Sequence, residues 1–285
     1  MTTTPASTSP VTSGPVQVSY EDIGGSTIAV VTLNRPEKLN ALTLPMLGAL
    51  ADTAKKLSAD RDIRAVILEG AGESFCAGLD FGSAMKDPKE IAKTFIPGLD
   101  GVNTFQRACW AWRKVPVPVI AAVHGHCYGG GLQLALGADV RVTTPDARWS
   151  VLETKWGLIP DMAGMRLLTD AVGQSNTSWL AMTGEEFSGV RAHGLGLATH
   201  MGEEMEDVQT VARYLTERLL KRSPDQLAAV KRLVLDSNRS PRATFRRERI
   251  EQAILLAKEN TKRAREAAFK KTAPVFTRRG TWAGK

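Results

Sequence analysis

The hydrophobic positions in the first two thirds of the chain follow two different spacings. Short runs of β-branched and apolar residues at 16–20 and 27–34 are typical of strands, and the glycine pair between them favours a hairpin. Residues 43–60 repeat apolar side chains at helical spacing, with Thr43 as N-cap and Pro45 in the first turn. Further strands at "RAVILEG", "VPVIAAVHG" and "ADVRVTT" are separated by helical segments. This order predicts an α/β fold with a largely parallel sheet.

Beyond about residue 200 the pattern is helical throughout. Three stretches, at 203–222, 223–238 and 243–271, repeat apolar residues at helical spacing with no strand between them. The pattern predicts a core over 16–200 and a C-terminal helical region over 201–285. Residues 1–15 are rich in Ser, Thr and Pro, which predicts a disordered tail.

Within the core, residues 86–114 form an irregular helical stretch. Pro97 and Gly98 break its pattern. Such an interrupted segment would suit a flap over a site.

Composition favours a protein of a reducing compartment. No apolar run approaches the ~20 residues that cross a bilayer, so no membrane partner is expected. The N-terminus resembles neither a secretory signal nor a transit peptide. Cys76, Cys109 and Cys127 lie far apart without a CxxC pair, which predicts buried free thiols. A cytoplasmic location is the expectation.

The charge is concentrated near the C-terminus. The net charge is +7, yet residues 241–285 hold 13 Lys and Arg against 4 Glu, a balance of +9. Such a segment could meet nucleic acid, a membrane surface or a phosphorylated small molecule, or it could be a solvated helix face.

Three loops that follow short apolar strands are the candidate functional segments, since sites in open α/β sheets lie beyond the carboxyl ends of strands. They are "GESFCAGLD" (72–80), "HGHCYGGG" (124–131) and "SVLETKWGLIPDMAG" (150–164). The glycine run matches neither a dinucleotide fingerprint nor a P-loop. It either presents N–H groups at a helix start to a developing negative charge or lets a helix pack closely on a strand.

The third loop carries two candidate acid–base residues, Glu153 and Asp161. Apolar surroundings would raise the pKa of such acids, although two solvated surface acids fit the spacing equally well. His124, His126 and Cys127 lack further ligands at suitable spacing, so no metal is expected.

Taken together, four segments resemble the enoyl-CoA hydratase/isomerase, or crotonase, superfamily. They are "NRPEKLNAL" (34–42), "FCAGLD" (75–80), "HGHCYGGGLQLALGADVRV" (124–142) and "ETKWGLIPDMAG" (153–164), and the resemblance spans roughly residues 15–272. It implies a crotonase-like ββα spiral core with a C-terminal helical trimerisation layer. A homotrimer or hexamer is therefore expected, and stripes such as Ile250, Ile254 and Ala257 are compatible with subunit contacts.

The resemblance also implies where the substrate binds. The peptide N–H groups of Leu79 and Gly130 would form the oxyanion hole that stabilises a thioester enolate. CoA would lie along "KLNAL" and "AGLDF", mainly against backbone, with a C-terminal basic residue at its phosphates. Coenzyme A is part of the acyl-CoA substrate, so no separate cofactor is expected. The implied substrate-binding residues are Lys38, Ala41, Ala77, Gly78, Asp80, Phe81 and Gly129.

The acids distinguish the activities that the family contains. Hydratases of the family carry a glutamate two residues after the glycine run, where this chain has Gln133, and a second that Glu153 matches. The family's dienoyl-CoA isomerases carry a Glu followed eight residues later by an Asp, as in Glu153 and Asp161. Those isomerases have an Asp at the position of Gln133, where a neutral amide could still orient Glu153 or a water.

The first interpretation is an isomerase that moves a proton between Glu153 and Asp161. The alternatives are a hydratase or related lyase that uses Glu153 with a water, and an acyl-CoA binder with little turnover. A fourth is an RNA-binding role for the basic tail, which steep salt dependence would reveal. The isomerase interpretation expects no nucleic-acid partner.

Overall fold

The computed structural model describes residues 12–281, apart from the side chains of residues 205 and 206. Within this range the strands are β1 (Val16–Ile23), β2 (Ser26–Leu33), β3 (Val66–Gly70), β4 (Val119–Val123), β5 (His126–Tyr128), β6 (Val140–Thr143), β7 (Arg148–Ser150), β8 (Glu186–Ser188) and β9 (His200–Met201). The helices are α1 (Leu44–Ala59), α2 (Phe81–Ala84), α3 (Pro88–Phe95), α4 (Thr104–Lys114), α5 (Gly130–Leu136), α6 (Gly164–Thr183), α7 (Gly189–Leu195), α8 (Met205–Leu220), α9 (Pro224–Asp236), α10 (Pro241–Leu256) and α11 (Glu259–Lys270).

Six strands form the main sheet, in the order β1-β2-β3-β4-β6-β9. The β1–β2 pair is an antiparallel hairpin that turns at Gly24 and Gly25, and the other four pairings are parallel. The predicted α/β fold with a largely parallel sheet is confirmed.

Alternate residues of the central strands bury opposite faces of this sheet. Val66 and Leu68 of β3 belong to the larger core, which also contains residues of α1, α4 and α5. Ile67 belongs to a second core, where Val208 and Ala212 of α8 cover the other face. Burial on both faces explains why β3 and β4 are almost wholly apolar.

Helices α1 and α5 begin as the pattern predicts. Thr43 caps α1 by accepting a hydrogen bond from Met46 N at 3.4 Å. All seven residues of α5 are buried, so its first turn lies inside the molecule.

A second sheet aligns the loops that carry the candidate chemistry. β5 runs parallel to β7, and β7 pairs antiparallel with β8. At the end of this pairing Gly129 N donates to Ser150 O at 2.9 Å. The second and third candidate loops are thereby held side by side.

The helical stretch predicted over 243–271 is confirmed, and the structure divides it into two helices, because α10 ends at Leu256 and α11 begins at Glu259. The amide of buried Asn260 donates to Asp225 Oδ2 at 2.8 Å and accepts from Thr277 N at 2.9 Å. Lys258 has extended backbone (φ −86°, ψ 141°), which interrupts the helix, and these tertiary bonds hold the start of α11 in place. Helical spacing alone carries no information about them.

Part of the C-terminal basic excess serves the fold itself. Arg247 pairs with Glu251, and Arg263 pairs with Glu259. Arg279 donates to the carbonyl of Asp60 at 2.7 Å and is buried. These cations therefore contribute less to an external binding surface than the sequence total suggests.

Residues 1–11 of the predicted tail lie outside the described residues, and Thr12 accepts a hydrogen bond from Val18 N at 2.8 Å. Across residues 12–281, no helix has the length and hydropathy that a membrane span requires. Cys76, Cys109 and Cys127 are free and buried, as predicted. The division of the chain at residue 200 stays a prediction.

Candidate active site

The first two candidate loops lie side by side, beyond the carboxyl ends of β3 and β4. Cys76 and Cys127 form a parallel bridge between them. In this bridge Cys76 N donates to His126 O at 2.8 Å, and Tyr128 N donates to Cys76 O at 3.0 Å. The pairing fixes the residues that follow Cys76 opposite those that follow Cys127.

Two backbone N–H groups, those of Leu79 and Gly130, lie in the parts of these loops that follow the bridge. Leu42 N donates to Gly78 O and Asp80 N donates to Leu42 O, which leaves the Leu79 N–H without a backbone acceptor among residues 12–281. Gly130 is the first residue of α5, so its N–H has no acceptor within the helix. A Cβ on Gly78 would lie 3.5 Å from Gly130 N, which shows how closely the loops approach.

The glycine run permits both close packing and exposure of these donors. A Cβ on Gly131 would lie 2.4 Å from Cys76 O. A Cβ on Gly129, whose φ is +49°, would lie 3.0 Å from Glu153 Oε1. The two interpretations of the glycines are therefore compatible, because close packing brings the first turn of α5 against the first loop.

Both amides border a cavity of about 570 Å³. Lys38 is exposed in the short helix Pro36–Lys38 and does not belong to the cavity wall, whereas Gln133 is buried behind Glu153. The structure brings the other predicted site residues together along the wall: Ala41, Ala77, Gly78, Leu79, Asp80, Phe81, Gly129, Gly130, Glu153 and Asp161.

Glu153 lies in the short helix Leu152–Trp156 and is 8% exposed. Its Oε1 accepts from Gln133 Nε2 at 2.6 Å, and its Oε2 has no hydrogen-bond partner among the described residues. Burial raises the pKa of Glu153, and the nearby Asp161 adds to this effect, while the Gln133 bond opposes it. A raised pKa makes this carboxylate a stronger base than an ordinary glutamate, which suits a residue that must take up a proton during catalysis.

Asp161 is the second acid of the cavity that sequence reasoning identified. It is half-buried, and burial raises its pKa. The third ionisable group on the wall, Asp80, is already engaged, because its Oδ1 accepts from Ser83 N at 3.0 Å and caps α2. Glu153 and Asp161 are thus the two acids available for proton transfer.

Arg35 connects two residues of the cavity wall, Ala41 and Asp80, and sequence reasoning missed it. Its guanidinium donates to Ala41 O at 2.6 Å and to Asp80 Oδ2 at 3.2 Å. It therefore ties together the two segments that the family resemblance assigns to CoA. Arg35 and Asp80 are 45 residues apart, and no local pattern signals their contact.

Part of the cavity wall is apolar and aromatic. Ile91 and Phe95 of α3 and Phe105 of α4 line it, and the rings of Phe95 and Phe105 are 4.8 Å apart. Near the third loop, Phe81 packs against Trp156 with ring centroids 5.2 Å apart. The irregular stretch 86–114 does border the site, as its pattern suggested.

Comparison with known proteins agrees with this architecture. Residues 24–279 match the family model described as "Enoyl-CoA hydratase/isomerase". The chain is 34% identical over 191 residues to 1,2-epoxyphenylacetyl-CoA isomerase of Escherichia coli, covering 66% of this chain and 72% of that protein. It is 29% identical over 218 residues to the peroxisomal Delta(3,5)-Delta(2,4)-dienoyl-CoA isomerase of Arabidopsis thaliana, covering 74% and 78%. The crystal structure of enoyl-CoA hydratase from Mycobacterium tuberculosis matches with a TM-score of 0.79 at 29% identity, covering 91% and 98%.

The fold and the cavity define an enzyme of the crotonase class, and the core predicted from the motifs is confirmed. The chain belongs to the enoyl-CoA hydratase/isomerase family, which acts on acyl-CoA substrates.

Proposed function

We propose that the protein shifts double bonds in acyl-CoA thioesters in the manner of a dienoyl-CoA isomerase. One observation carries this proposal. Glu153 and Asp161 line one cavity, whereas the position at which family hydratases carry another glutamate holds Gln133, an amide that cannot act as base or acid.

The reaction begins at the thioester carbonyl, whose oxygen binds the N–H groups of Leu79 and Gly130. Glu153 removes a proton from the carbon next to the carbonyl, and the electron pair moves into the carbonyl oxygen. The two amides stabilise the resulting enolate, and losing one donor of such a hole typically costs ~10²–10³ in rate.

Asp161 completes the shift by giving a proton to the far end of the conjugated system. In a 3,5-dienoyl substrate the electron pair returns from the oxygen, and the double bonds move to positions 2 and 4. Glu153 ends protonated and Asp161 ends ionised, and exchange with solvent restores both.

The wall of the cavity also favours one class of acyl group. Its ionisable residues are Asp80, Glu153 and Asp161, all acidic, and other parts of it are formed by apolar residues such as Ile91 and Phe105. A second carboxylate on the acyl chain would be repelled and desolvated there. The proposed acyl group is therefore an uncharged hydrocarbon.

Hydration is the second candidate, and the unpartnered Oε2 of Glu153 favours it, because this oxygen could hold a water. The solved relative from Mycobacterium tuberculosis is described as a hydratase. Gln133 counts against efficient hydration, since a second carboxyl group is missing beside Glu153.

An ultraviolet assay with a 3,5-dienoyl-CoA and a 2-enoyl-CoA separates these functions. Growth of the conjugated 2,4-dienoyl absorbance with little loss of the 2-enoyl signal would support the isomerase. Loss of the 2-enoyl absorbance alone would make the protein a hydratase. No absorbance change with either substrate would favour an acyl-CoA binder.

A further inference from the structure

We infer that Gln133 is a positioning residue whose single amide holds the base Glu153 and the loop of the acid Asp161 in a fixed relation. The inference rests on the proposed function, because that function assigns the two acids their roles. It assigns Gln133 a task at a position where the family's hydratases and isomerases carry an acid.

The Gln133 side chain hydrogen-bonds to the carboxylate of Glu153 and to the backbone of the loop that follows Asp161. Its Nε2 donates to Glu153 Oε1 at 2.6 Å. Its Oε1 accepts from Met162 N at 2.8 Å and from Gly164 N at 2.9 Å. Met162 directly follows Asp161, so one planar group fixes the carboxylate of one acid and the backbone beside the other.

The loop after Asp161 is shaped to receive this amide. A Cβ on Gly164 would lie 2.4 Å from Gln133 Oε1, so the close approach requires glycine. Ala163 has a φ of +69°, a left-handed conformation that non-glycine residues rarely adopt. The two hydrogen bonds on either side of Ala163 hold it there.

An amide is suited to this place because it both donates and accepts. A glutamate at position 133 could still accept from Met162 and Gly164, but its other oxygen would face Glu153. Two carboxylates so close must share a proton. The neutral amide instead stabilises ionised Glu153 and leaves its Oε2 without a partner among the described residues.

The first test is Gln133→Met, which keeps the side-chain length and removes both polar groups. We expect kcat to fall about 10²-fold with KM within about threefold, because misplacement of a catalytic group costs rate more than binding. We also expect the pH at which Glu153 ionises to rise, since its carboxylate loses its N–H donor.

Gln133→Glu tests the donor function of the Gln133 amide separately from its acceptor function. It preserves the acceptor for Met162 and Gly164, which maintains the fold of the loop, and replaces the donor with an acceptor. We expect Glu153 to ionise at still higher pH than in Gln133→Met, because a like charge now faces it. An ordinary space-filling role would leave the ionisation of Glu153 unchanged in Gln133→Met.

Asn260→Leu is the matched control, since Asn260 is also a buried amide that donates to a carboxylate and accepts a backbone N–H. Asn260 is not part of the cavity wall. We expect Asn260→Leu to have a lower Tm, while the pH at which Glu153 ionises stays unchanged. If the pH at which Glu153 ionises shifted as much in Asn260→Leu as in Gln133→Met, the inference would be overturned.

Infrared titration of the free protein keeps this test distinct from that of the isomerase. The difference between wild type and Glu153→Gln isolates the carboxyl band of Glu153 and requires no turnover. Absence of isomerase activity in the wild type would end the proposed function but would leave this titration interpretable. A Glu153 band that titrates identically in wild type and Gln133→Met would overturn the inference about the amide.

Discussion

Asp161 and Glu153 share one cavity, yet the contacts around them differ. Glu153 is held by Gln133, whereas Asp161 is half-buried on a loop whose backbone is held by the same amide. A fixed base and a second acid on the same cavity wall are what the proposed proton transfer over several carbon atoms requires.

Replacing the acid is the direct residue-scale prediction. Asp161→Asn should lower kcat for isomerisation about 10²–10⁴-fold, because an amide cannot donate the final proton, while acyl-CoA affinity stays nearly unchanged. Steady-state kinetics and calorimetric titration with a saturated acyl-CoA measure both quantities. Asp62→Asn, at an exposed acid outside the cavity wall, is the control, and unchanged turnover in Asp161→Asn would remove Asp161 from the mechanism.

The pH dependence follows from the same two acids. Burial raises the pKa of Glu153, so kcat/KM should fall as the pH drops through a value above that of an ordinary glutamate. Burial also raises the pKa of Asp161, which keeps its proton to higher pH, and the rate should fall once that proton is lost. A rate that does not change between about pH 4 and pH 9 would contradict this assignment.

The glycine run gives a stability prediction. Gly131→Ala should lower the free energy of unfolding by about 1–3 kcal/mol, because its Cβ would press on the Cys76 carbonyl. Gly48→Ala in α1 is the control, since nothing lies within 4 Å of its Cβ, and it should raise stability by about 0.5–1 kcal/mol. Urea unfolding measures both changes, and equal stability of the two variants would contradict the packing argument.

At the scale of elements, α3 and α4 contribute apolar side chains to the cavity wall, and we expect the acyl group to contact them. Ile91→Phe should reduce kcat/KM for longer acyl chains by about 10–200-fold relative to short ones, because the larger phenyl ring fills apolar space in the cavity. Ile96→Phe is the matched control, as Ile96 is 67% exposed and lies off the cavity wall. A uniform loss across chain lengths would place the acyl group elsewhere.

Local elements could be predicted where their signals are local. The cap at Thr43, the hairpin at Gly24 and Gly25, and the buried helix after the glycine run each follow from neighbouring residues. Register and helix breaks depend on distant partners instead. The amide of Asn260 that separates α10 from α11 bonds to Asp225, which is 35 residues away.

The same distinction holds for the site. The family resemblance implied two amides, at Leu79 and Gly130, and two acids, at Glu153 and Asp161. The structure places all four residues along one cavity, and their roles stay a prediction. The resemblance allowed Gln133 to orient either Glu153 or a water, and the structure shows the contact with Glu153. The bonds from Met162 N and Gly164 N to Gln133 could not be derived, since spacing does not say which buried groups face each other. Arg35 was overlooked for the same reason.

At the scale of the whole molecule, the C-terminal helices leave apolar side chains uncovered, among them Phe245, Leu256 and Phe269. We propose that subunit contacts cover such positions in a homotrimer or hexamer. Light scattering should give a mass of three or six times 30.8 kDa. The mass of a monomer at micromolar concentration would contradict this proposal.

The contact of Arg279 with the end of α1 bears on how the molecule is made. Arg279 donates to Asp60 O, and Arg61 donates to Arg279 O, across 219 and 218 positions of chain. Strands β1 to β4 can pair while synthesis continues, since domains fold progressively from the N-terminus. These two hydrogen bonds cannot form until Arg279 has left the ribosome. The end of α1 therefore lacks these two hydrogen bonds while the intervening residues are being synthesised, so this part of the molecule completes its contacts after the first strands have paired.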